Sequence, residues 1–124
     1  MNTALWIVAG VLAFVFAGSG SMKLVLPKEK LVAQGLGGLA DVDPNAIRGI
    51  GAAEVAGAIG LIVPPLVHIL PVLTPLAAVG LALVMVGAIV VHGRRKEYPN
   101  VAVNVVLLGL ALFVAWGRFG AYAF

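Results

Sequence analysis

Four apolar stretches, each about long enough to cross a lipid bilayer as a helix, dominate this chain. Spanning about 30 Å of hydrocarbon takes roughly 20 helical residues. The first stretch occupies about residues 3–25 and stops before Pro27. The second opens with Asp43 as N-cap and Pro44 as first helical residue. It is expected to end at Pro64-Pro65, where two successive backbone donors are missing. The third repeats the start signal with Thr74 and Pro75 and runs to His92-Gly93, and the fourth begins near Pro99. The expected spans are therefore about 3–25, 44–63, 75–93 and 99–119, within one domain covering 1–124.

Composition agrees with lipid as the solvent. The chain is 62% hydrophobic and 10% charged, against about 25% charged in soluble domains. In water so few polar groups could not cover the surface. The expected fold class is all-α, an integral membrane four-helix bundle. The first stretch reads as a retained helix rather than a signal peptide. Met1-Asn2-Thr3 offers no basic n-region, and the flank Ser19 to Lys23 is a poor cleavage site.

Between spans 1 and 2, Lys28 to Gln34 reads as a short interfacial helix, and Gly35-Leu-Gly-Gly38 as a flexible turn after it. Lys23, Lys28, Lys30, Arg48, Arg94, Arg95 and Lys96 fall in or near loops 1–2 and 3–4, which share one side of a four-span chain. The positive-inside rule puts that side in the cytoplasm and both termini outside. No basic run is interleaved with aromatics, so a nucleic-acid partner is not expected. The absence of cysteine excludes disulfides, thiolate nucleophiles and Cys-ligated metals. His68 and His92 fall on opposite sides and cannot share a metal, so no metal site is expected.

Small residues recur at four-residue spacing: Ala9, Ala13 and Ala17 on span 1, Gly49, Ala53 and Gly57 on span 2, with Ala56 and Gly60 beside them. Such ladders let membrane helices approach closely. Trp6, Trp116, Tyr98 and Tyr122 read as interfacial aromatics.

Glu54 is the polar residue that most needs an explanation. It lies roughly 15 Å along its helix from Pro44, where a carboxylate is costly unless protonated, paired or hydrated. Depth matching brings Ser19, Ser21 and Lys23 of span 1 near Arg48 and Glu54 of span 2. His92 and Asn104 lie at comparable heights on spans 3 and 4. The candidate acid–base residues are Glu54 and His92, and the candidate ligand contacts are Lys23, Arg48, Asn104 and Ser19. Each has a plainer reading. Lys23 can snorkel, Arg48 and His92 can sit at the interface, and Asn104 can bridge helices.

Gly18-Ser-Gly-Ser-Met-Lys-Leu24, Arg48-Gly-Ile-Gly-Ala-Ala-Glu54, Gly57-Ala-Ile-Gly-Leu61 and Thr74-Pro-Leu-Ala-Ala78 occur in that order, followed by His92 and Asn104. Together these resemble the DoxX-like membrane proteins over nearly the whole chain. The resemblance implies a four-helix bundle with Lys23, Arg48 and Glu54 at matching positions, and His92 and Asn104 as further candidates for them. Some relatives are subunits of thiosulfate–quinone oxidoreductases, and others belong to oxidative-stress complexes in bacterial membranes.

Three functions stay open on the sequence alone. The chain is a membrane subunit holding a quinone-like or other lipophilic molecule and working with a redox partner protein; or a stand-alone enzyme using Glu54 for acid–base chemistry; or a structural module. The expected surroundings are the bilayer and a lipophilic small molecule. The cofactor stays unknown, with a quinone as the candidate, and the oligomeric state stays open, a homo-oligomer included.

Overall fold

The computed structural model describes residues 1–33, 42–120 and 122–124. Among these described residues five helices follow in order: α1 (Asn2–Val25), α2 (Lys28–Ala33), α3 (Pro44–Leu66), α4 (Leu73–Arg94) and α5 (Tyr98–Phe119). The glycine-rich turn at 35–38 lies outside the described residues. The four long helices are each apolar enough to cross a bilayer, and the chain is an all-α, multi-pass membrane protein. They pack side by side in the cyclic order α1, α3, α4, α5.

The interior is narrow. In the most apolar window of each long helix only 22–33% of residues are buried. The remaining faces carry side chains such as Phe14, Leu83 and Val106, all widely exposed. Such a surface is stable only where hydrocarbon replaces water. Inside, Leu12, Phe16, Leu61, Leu81, Met85 and Val114 form a continuous apolar cluster drawn from all four long helices.

Asp43 caps α3 as its position predicts, its side chain accepting from the Asn45 amide at 2.8 Å. At the other end the sequence expectation fails. Instead of stopping at the prolines, α3 continues through Pro64 and Pro65 to Leu66. Pro64 and Pro65 leave the carbonyls of Gly60 and Leu61 without their usual donors four residues on. The Thr74 hydroxyl supplies the substitute, donating to Gly60 O at 3.2 Å with Leu61 O at 3.4 Å.

This also corrects the reading of Thr74 as a helix cap. The fourth helix starts at Leu73 without a side-chain cap, and Thr74 is buried against α3. A hydroxyl from a neighbouring helix is one of the devices that lets proline sit inside a membrane helix. Thr74→Val keeps the shape and strands both carbonyls, so it should cost about 1–3 kcal/mol. An unchanged melting temperature in mild detergent would show that the carbonyls are satisfied by other means.

The turn after α4 has the geometry of a Schellman motif. Lys96 takes a left-handed conformation (φ 57°), its amide donates to Gly93 O at 3.1 Å, and the Glu97 amide donates to His92 O at 2.9 Å. The side chains of His92 and Glu97 then meet at 3.0 Å, the pairing of first and last motif positions that usually is an apolar contact.

Candidate functional site

Two glycines set the site. Gly20 on α1 and Gly51 on α3 face each other so closely that a methyl on Gly20 would stand 2.6 Å from Gly51 O. A methyl on Gly51 would stand 2.8 Å from Gly20 O and equally close to the Lys23 Cβ. Neither backbone oxygen can move aside without shifting a helix. The contact brings α1 and α3 together at the level of their charged residues.

The two helices run in opposite directions, and helical side chains lean toward their own N-termini. Lys23 therefore reaches back along α1, while Glu54 leans down α3 toward it. Their side chains meet as an ion pair, Lys23 Nζ on Glu54 Oε1. Lys23 Nζ also donates to Ser19 Oγ, one turn back on α1, at 3.2 Å. Glu54 is 0% exposed, whereas Lys23 keeps partial exposure.

The pair does not use all of its hydrogen-bonding capacity. Among the described residues Glu54 Oε2 is buried without a partner, and so is Asn104 Nδ2 on α5. An unpartnered acceptor and an unpartnered donor thus sit in the apolar interior, on helices diagonal to one another in the bundle. Leaving such groups unmatched costs about 1–3 kcal/mol each, and more for a charge. An entering carbonyl could accept from Asn104 Nδ2, and an entering hydroxyl could donate to Glu54 Oε2.

Of the residues singled out by sequence, Ser19, Lys23 and Glu54 are brought together by hydrogen bonds, and Asn104 is buried. Arg48 is exposed. His92 is engaged with Glu97, which also pairs with Arg95 at 3.5 Å. Sequence reasoning did not single out the Gly20–Gly51 contact as a crossing. Ladders advertise themselves by repetition along one helix, whereas a crossing needs only a single glycine on each.

Residues 7–114 match the family model described as the DoxX-like family. No curated protein and no solved structure matches the chain. The family match reaches into all four long helices and takes in both glycines of the crossing and the Lys23–Glu54 pair, and this chain belongs to the DoxX-like family.

Proposed function

We propose that the chain is a membrane subunit that holds a quinone-like lipophilic molecule beside Glu54, in company with a redox partner protein. The observation that carries this reading is Glu54 itself, fully buried, paired on one oxygen with Lys23 and unpartnered on the other. A charge pair used only for packing gains little over apolar residues of similar volume. An intramembrane ionisable group is by default a functional candidate. A quinone carbonyl can accept from Lys23 Nζ or Asn104 Nδ2, and a quinol hydroxyl can donate to Glu54 Oε2. Ser19 steadies the lysine. The electrons belong to the partner.

Equilibrium binding of a short-chain benzoquinone and its quinol to the purified protein tests this. Glu54→Gln keeps size and some hydrogen bonding but removes the charge. The variant should fold and bind about tenfold more weakly, a loss equal to one charge-assisted hydrogen bond. Glu54→Leu should bind more weakly still. Wild-type affinity in both folded variants would turn the reading toward a packing module.

The orientation belongs to the same proposal, with the basic loops and the Lys23–Glu54 half of the bundle facing the cytoplasm. A cysteine in place of Thr3 should react with an impermeant maleimide in intact cells, and one in place of Lys96 only after permeabilisation. The reverse pattern would move the site to the outer leaflet.

A further inference from the structure

The end of the bundle opposite the basic loops holds a second buried charge. Arg118, in the last turn of α5, is only 4% exposed. Its Nη1 donates to Asn2 Oδ1 at 2.7 Å and to the Tyr122 carbonyl at 2.9 Å, both neutral acceptors. Its Nη2 is buried with no partner among the described residues.

The chain has five acidic residues. Glu29, Asp43 and Glu97 lie in or beside the connections at the other end, and Asp41 falls between α2 and α3 in sequence. Glu54 is committed to Lys23. Among the described residues no side-chain carboxylate pairs with Arg118.

Aromatic rings stand where a counter-ion would. The Phe124 ring centre lies 3.9 Å from the guanidinium carbon, and that of Trp6 5.7 Å. Phe124 also borders two cavities of about 340 Å³ each. One is lined by Asn2, Trp6 and His68, the other by Arg118, Leu70 and Val72. Swinging the Phe124 ring aside would uncover the cation. The rim next to Arg118 is apolar, since Leu70, Val72 and Phe119 are all exposed.

We propose that Arg118 is a binding site for a phosphate oxyanion, supplied by the headgroup of an anionic phospholipid, with Phe124 as its displaceable cover. Guanidinium is the side chain best matched to phosphate geometry. The last turn of a span lies at the headgroup level of a bilayer. The acyl chains of such a lipid would continue along Leu70, Val72 and Phe119. This site is separate from the Lys23–Glu54 pair, and its test does not depend on that reading.

The test is native mass spectrometry of the full chain from micelles doped with phosphatidylglycerol or phosphatidylcholine. Wild type should retain phosphatidylglycerol in preference. Arg118→Gln should lower that retention about tenfold, the loss expected for one charge-assisted contact, and Arg118→Lys should restore part of it. Phe124→Ala should raise retention. Because the basic loops also attract anionic lipid, Arg94→Gln is the control. A loss in Arg118→Gln no larger than in the control would overturn the proposal. If Arg118→Gln does not fold, Phe124→Ala decides, and unchanged selectivity in that variant overturns the proposal. Inorganic phosphate is the second arm. Arg118-dependent stabilisation by phosphate alone, without lipid selectivity, would assign the oxyanion site to a free anion and overturn the lipid as its source.

Discussion

Replacing Lys23 with Met should destabilise the bundle by about 3–5 kcal/mol, the cost of removing one member of a buried ion pair. The penalty lies with the survivor. Glu54 is 0% exposed and already has one oxygen without a partner, so losing Lys23 strands the whole carboxylate in an apolar interior. Removing both charges should repair most of the damage. Lys23→Met combined with Glu54→Leu leaves no stranded group, and such replacements are often neutral or stabilising. Melting temperatures of the four proteins of this cycle, measured in one detergent, check the prediction. Additive effects of the two substitutions would mean that the charges do not depend on each other.

The second large effect concerns the glycine crossing. Gly20→Ala and Gly51→Ala each put a methyl within 2.8 Å of a backbone oxygen on the facing helix. The helices must separate, and overpacking of this kind costs about 1–3 kcal/mol. Separation would also stretch the Lys23–Glu54 contact, so both variants should lose ligand affinity as well as stability. Gly49→Ala is the internal control. It lies two residues from Gly51, meets nothing within 4 Å, and should leave stability unchanged or slightly raised through better helix propensity. Equal melting temperatures for Gly49→Ala and Gly51→Ala would show that the crossing is not a point of close packing.

The four spans are legible in the sequence because bilayer thickness fixes their length and proline and glycine punctuate them. The Asp43 cap is legible for the same local reason, since its partner Asn45 is two residues away. The end of α3 is not. The rule that proline stops a helix is local, whereas Thr74 compensates Pro64 and Pro65 from another helix. Glu54 stands out as a carboxylate at membrane depth, but its partner lies on another helix. The pairing depends on the direction in which each side chain leans, Lys23 reaching back along α1 to Glu54 while Arg48 is exposed. His92 shows only as a histidine near the right depth. Its engagement with Glu97 follows from the left-handed Lys96, a conformation that no pattern in the sequence announces. Arg118 looks like the flank of a span. Its burial depends on Asn2, Trp6 and Phe124, drawn together from distant parts of the chain.

A lipophilic molecule held beside Glu54, as proposed, is tested most directly by mass spectrometry of small molecules that co-purify with the protein in mild detergent. Wild type and Gly49→Ala should carry the same carbonyl- or hydroxyl-bearing lipophile. Glu54→Leu, folded and purified in parallel, should have lost it. The same lipophile carried in equal amount by Glu54→Leu, or none by the wild type, would contradict the account.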